Sequence, residues 1–186
     1  MLTTDEQLEL ECGFREKRYL WLTGMDYTFM GFVLGLTDSF VLFQRFRDFA
    51  PNGYAVVRRD LLTEVVGNSP AVRFFERMLA GEGILEKVGL RFDVPLDSIV
   101  AVIRAVQRER LFVLLTCSEH RDPDVDREYD VGEILCCDDE LTKLRYLTAA
   151  GAWDGESDLA TCDIERIEFD TPYLVNLQKY AGPPPR

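Results

Sequence analysis

The chain has 186 residues, a net charge of −12 and a pI near 4.6, with 47% hydrophobic and 11% aromatic side chains. This is the composition of a folded globule, one medium domain or two small ones, and it excludes a disordered acidic tail. So acidic a surface repels phosphate backbones on average, so nucleic acid is disfavoured as a partner.

No apolar run approaches the roughly 20 residues that span a bilayer, so no membrane association is expected. The start, MLTTDEQLELE, lacks the basic and apolar regions of a signal peptide. The five cysteines (Cys12, Cys117, Cys136, Cys137, Cys162) are odd in number and show no C-x-x-C pair. That argues against a disulfide framework and a structural zinc site, and makes a cytoplasmic location the expectation.

In chain order, Thr4-Asp5-Glu6-Gln7 offers a capping box for a first helix. Strands are then predicted over Arg18–Thr23, Tyr27–Leu36, Phe40–Phe46, Tyr54–Arg59 and Leu62–Val66, rich in Phe, Tyr, Val and Leu and broken by Asp, Asn or Gly turns. In Phe40-Val41-Leu42-Phe43 both strand faces are apolar, which predicts a covered outer face. Asn68-Ser69-Pro70 gives a hydroxyl cap followed by proline at the first helical position. Val72, Phe75 and Leu79 then form an apolar stripe at helical spacing, read as core.

Residues 82–95, with turn glycines and Pro95, read as a linker between domains 1–81 and 96–186. After it, Ser98 opens a helix whose Ile99, Val102, Ile103 and Val106 share one face. Strands follow over Leu111–Cys117, Tyr129–Cys137, Leu141–Leu147, Asp158–Thr161 and Ile164–Phe169, and Asp170-Thr171-Pro172 repeats the helix-start signal.

The halves match each other. Gly31 onward matches Gly132 onward at offset 101, 61–79 matches 163–181 at offset 102, and Lys17–Leu22 matches Glu109–Leu114 at offset 92. Collinear matches at drifting offsets imply a duplicated unit of helix, five strands and helix, with about nine extra residues near 118–128 of the second copy. Five short strands in so short a stretch suggest a bent barrel that leaves few open edges.

Three motif elements carry a resemblance. Gly31, Val33 and Asp38 precede Phe40-Val41; Gly132, Ile134 and Asp138 precede Leu141-Thr142; and Arg58-Arg59-Asp60 stands between strands four and five. This pattern resembles the Sm and Sm-like (LSm) family, which implies a mainly β fold with flanking helices: two tandem five-stranded bent barrels, each with a terminal helix. The family's base-reading asparagine is Val41 in one copy and Thr142 in the other, and its Arg-Gly glycine is Arg59. The resemblance therefore implies a shape more than RNA recognition. Barrels of this family also associate through edge strands, which implies self-association or a protein partner.

Three chemistries compete. Arg18, Arg45, Arg58 and Arg59 would form an RNA- or anion-binding patch if the first barrel brings them together. Asp122, Asp124, Asp126, Glu128, Asp130 and Glu133 fall at the ligand positions of an EF-hand loop, but Arg127 occupies its glycine position and strands flank it. A solvated hairpin extension explains those acids, with a metal-dependent enzyme at Asp122, Asp124 and Asp126 as the alternative. His120, the single histidine, leaves Ser–His and Cys–His mechanisms hanging on one turn residue. No cofactor motif occurs and no cofactor is expected. The reading these residues favour is a non-enzymatic protein-interaction or scaffolding module.

Overall fold

The computed structural model describes residues 1–118 and 129–183. The protein is mainly β, with ten strands and four α-helices among those residues. It divides into two compact units, Met1–Phe92 and Asp93–Arg186. Residues 82–92, read from the sequence as linker, thus belong to the first unit.

The first unit runs α1 (Thr4–Glu16), β1 (Tyr19–Thr23), β2 (Thr28–Leu36), β3 (Phe40–Arg47), β4 (Ala50–Arg58), β5 (Glu64–Val66) and α2 (Pro70–Gly81). Its strands are antiparallel in the order β5-β1-β2-β3-β4. Helix α1 begins with a capping box of Thr3 and Glu6, one residue earlier than the sequence suggested. It ends at Lys17 in the left-handed conformation, which turns the chain into β1. Along β1 the side chains alternate cleanly between two cores. Leu20 and Leu22 join Leu10 of α1 with Val41, Phe43 and Val57, whereas Tyr19 and Trp21 join Val72, Phe75 and Leu79 of α2. Tyr19 stacks on Phe75 at 5.9 Å, and the Tyr19 N–H donates to Glu76 at 2.8 Å. Both faces of β1 are thus covered; on β3, Val41 and Phe43 belong to the first core, Phe46 to the second, and Leu42 is also buried.

The second unit runs α3 (Ile99–Arg108), β6 (Phe112–Cys117), β7 (Asp130–Cys137), β8 (Leu141–Leu147), β9 (Trp153–Ala160), β10 (Ile164–Phe169) and α4 (Pro172–Tyr180). Its strand order is β10-β6-β7-β8-β9. Ser98 caps α3 and Thr171 caps α4, each through a side-chain oxygen. Leu174 of α4 packs with Phe112, Val131 and Leu147.

Several irregular features recur at matching places. Leu20 faces Gly31 and Val113 faces Gly132, so the first strands align at offset 93 rather than 92, and the glycines at 101. Register shifts fall between Val33 and Gly35 in β2 and between Ile134 and Cys136 in β7. A second pair falls between Gln44 and Phe46 in β3 and between Arg145 and Leu147 in β8. A single 3₁₀ turn, Arg59–Leu61 or Thr161–Asp163, leads into each last strand.

The two glycines are steric necessities. A Cβ on Gly31 would lie 1.9 Å from the Gln44 carbonyl oxygen, and one on Gly132 would lie 1.8 Å from that of Arg145. Each marks where the second strand presses against the third.

β4 and β9 begin earlier than the sequence suggested. Pro51-Asn52-Gly53 and Asp154-Gly155 read as turns, yet they lie inside strands, with Gly53 at φ +79° and Gly155 at φ +80°. Both stand beside the second pair of register shifts, where the extra strand residue is taken up by a bulge.

Candidate functional site

In the first unit the turn between β2 and β3 meets the end of β4 beneath α1. Thr37 accepts the Phe40 N–H at 3.0 Å, and the Arg59 N–H donates to the Ser39 carbonyl at 2.8 Å. The Arg59 guanidinium donates to the Thr37 carbonyl at 3.3 Å and to Glu11 of α1 at 3.4 Å. These groups floor a groove of about 440 Å³ whose walls include Phe14, Arg15, Leu36 and Asp38. Its rim carries both signs of charge, so it has no net preference for an anion.

The four arginines of the expected anion patch are distributed as follows. Arg58 and Arg59 are neighbours at the end of β4, where Arg59 lines the groove. Arg58 grips Asp60 through two bonds, of 3.2 and 2.8 Å, and that hydrogen bond holds the Asp60 carboxyl below its ordinary range. Arg45 lies five residues along β3 from Phe40, the residue facing Arg58, which is about 16 Å of strand. Its guanidinium sits 4.2 Å over the Phe29 ring. Arg18 bridges to Glu9 at 3.2 Å and donates to the Gly67 carbonyl at 2.9 Å, tying β1 to the end of β5. Each arginine has an acidic or aromatic partner.

The second unit makes the corresponding turn with a threonine in place of Arg59. The Thr161 N–H donates to the Glu140 carbonyl at 3.0 Å, as Arg59 does to Ser39. Where Arg59 reaches outward, Thr161 instead shares a buried 2.9 Å hydrogen bond with Thr142, whose hydroxyl also donates to the Cys137 thiol at 3.3 Å. Arg104 of α3 donates to the Cys137 carbonyl at 3.1 Å, and burial pushes the thiol pKa up. The Cys137 side chain is enclosed and suits packing. Asp138 caps the turn, accepting the Glu140 and Leu141 N–H groups at 2.9 and 2.8 Å, bonds that lower its pKa.

The sequence reading missed the acidic face of β9. Lys143 on β8 lies directly across from Asp158 and bridges to Glu156 at 3.2 Å and Asp158 at 3.1 Å. These bonds raise the lysine pKa, with Asp158 contributing most. Alternating acids at 154, 156 and 158 carried the signal, but a predicted strand starting at Asp158 hid two of them.

Asp122, Asp124, Asp126 and His120 lie outside the described residues. Among the described residues no group of three or more His, Cys, Asp or Glu side chains could hold a metal ion. No helix among them is long and apolar enough to cross a membrane. No family model, curated protein or solved structure matches the chain.

Proposed function

We propose that the chain is a non-enzymatic protein-interaction or scaffolding module made of two divergent copies of a small Sm-like barrel. The duplication is supported by the shared element order, strand order, bulge positions, glycine contacts and capped, proline-led last helices. The cytoplasm is the compartment this reading assumes.

One observation carries the interaction reading. The outer faces of the third and fourth strands differ between the units. In the first unit the chain's own segment at 84–89 packs there, whereas in the second Glu156 and Asp158 stand exposed on β9, which among the described residues pairs with β8 alone. A copied scaffold whose second version uncovers a charged strand is suited to engage another protein. Affinity capture joined to light scattering tests the reading. A stoichiometric partner or a defined oligomer supports it; a strict monomer with no recovered partner refutes it.

Binding of RNA or another anion is a second reading, favoured by Arg15 and Arg59 at one groove. Glu11, Asp38 and Asp60 share that neighbourhood and weaken its field. A labelled single-stranded RNA that binds the wild type but not Arg59→Ala supports it. The metal-dependent reading, on Asp122, Asp124 and Asp126, requires calcium, magnesium or manganese to raise the melting temperature, because a bound ion stabilises the folded state.

A further inference from the structure

The two units diverge most along their fourth strands. Gly31 faces Arg45 and Gly132 faces Tyr146, so Gln44 corresponds to Arg145, and their partners Tyr54 and Glu156 correspond in turn. Two residues on, Val56 corresponds to Asp158. Tyr54 and Val56 are buried. The Tyr54 hydroxyl donates to the Gly89 carbonyl at 2.7 Å, while Gln44 accepts the Gly89 N–H at 2.8 Å and donates to the Lys87 carbonyl at 3.2 Å. A piece of the first unit's own chain is therefore held across this face by its main-chain groups. At the matching place in the second unit, the Glu156 and Asp158 side chains are 50% and 55% exposed.

The strand that carries them is also open. Among the described residues β9 has β8 as its one strand neighbour, and Glu156–Ala160 runs in unbroken register against Leu141–Arg145. Those five residues span about 17 Å, and in an antiparallel pair alternate residues turn their N–H and C=O groups away from the partner. The stretch can thus hydrogen-bond a further strand.

Lys143 shows which side chains such a strand should carry. Standing on the neighbouring strand across from Asp158, it reaches Glu156 Oε2 and Asp158 Oδ1. A lysine or arginine on a strand added at the open side meets the same two carboxylates. Apolar and acidic strands are turned away, as edge charges generally do. A second copy of this chain fits poorly. Pairing with β5 of that copy, a strand of three residues that begins with Glu64, would bring carboxylate to carboxylate.

We propose that the outer edge of β9 accepts an extended, basic segment of a protein partner as an additional strand, with Glu156 and Asp158 selecting its positive charge. This rests on the interaction reading above and names the partner's chemistry.

The test uses a fluorescent Lys-Val-Lys-Val-Lys-Val peptide, followed by anisotropy with the full chain. The expected result is binding by about 1 mM, the range for a short single strand, that weakens as salt rises. Two controls locate it. N-methylation at alternate residues keeps the charge, removes strand hydrogen bonds and should cost at least about tenfold. Glu156→Gln with Asp158→Asn, checked by circular dichroism, should weaken binding severalfold, the size of two exposed charge pairs. If the double variant fails to fold, Glu156→Gln alone is used. Equal binding of the methylated peptide, unchanged binding by the neutralised variant, or no binding of the basic peptide overturns the proposal. A partner captured equally by the wild type and the neutralised variant sinks the edge site but leaves the interaction reading standing. No partner with either sinks that reading itself.

Discussion

Replacing Gly31 or Gly132 by alanine probes the bend shared by the two units. A real carbon–oxygen contact is about 3.3 Å, so a Cβ at 1.9 or 1.8 Å forces the second and third strands about 1.4 Å apart. The obstacle in each case is a backbone carbonyl, which cannot swing aside as a side chain could. Overpacking of this kind costs about 1–3 kcal/mol, and losing two flanking ladder bonds adds about 1 kcal/mol each. The sum, about 3–5 kcal/mol, is a large share of the 5–15 kcal/mol typical of a domain.

The chain contains two tryptophans, Trp21 in the first unit and Trp153 in the second. Urea unfolding in Trp153→Phe and Trp21→Phe backgrounds therefore reports each unit by its own fluorescence. Gly31→Ala should lower the midpoint seen by Trp21, and Gly132→Ala that seen by Trp153. Gly81→Ala in α2 is the control, since nothing lies within 4 Å of its added Cβ. It should be neutral or stabilise by up to about 1 kcal/mol. Midpoints for both strand variants within about 1 kcal/mol of wild type would refute the steric argument.

Thr171→Ala removes the buried side-chain oxygen that accepts the Leu174 N–H at 3.1 Å, and thermal unfolding should show a loss of about 1 kcal/mol. In a thiol titration of the native protein, exposed Cys136 and Cys162 should react first, Cys12 more slowly, and buried Cys117 and Cys137 after unfolding. The lowered pKa of Asp138 sets an acid dependence. Its contribution to the β7–β8 turn is fully present above the ordinary carboxylate value of 3.8 and is lost as pH falls through the lower folded-state value. The melting-temperature gap between wild type and Asp138→Ala should hold at neutral pH and close at the acid end. A gap that persists in strong acid would count against the capping role.

Local chemistry made much of the fold legible. Ser69-Pro70 and Thr171-Pro172 announce helices because a capping oxygen and a fixed φ act within one turn. Gly31 and Gly132 stood out as the paired glycines of the repeat, and their close approach to the third strand follows from strand pairing. Misreadings cluster where local signals and sheet pairing disagree. Pro51-Asn52-Gly53 and Asp154-Gly155 carry turn chemistry, yet neighbouring strands hold them in bulged ladders. That error hid the length of β9 and its row of acids. The segment 82–95 read as a linker from its turn glycines and Pro95, yet residues 82–92 belong to the first unit. Their place in the first unit comes from Gln44 and Tyr54, residues far away in sequence.

The sequence by itself determined where the last helix of each unit starts and roughly where the strands run, because each depends on neighbours a few residues apart. The tertiary structure alone decided which charges meet. Arg58 and Arg59 share a turn with Asp60 while Arg45 lies over Phe29, and Lys143 faces Asp158 across a ladder, because strand register sets these distances. The groove beneath α1 and the open acidic edge of β9 follow from that register.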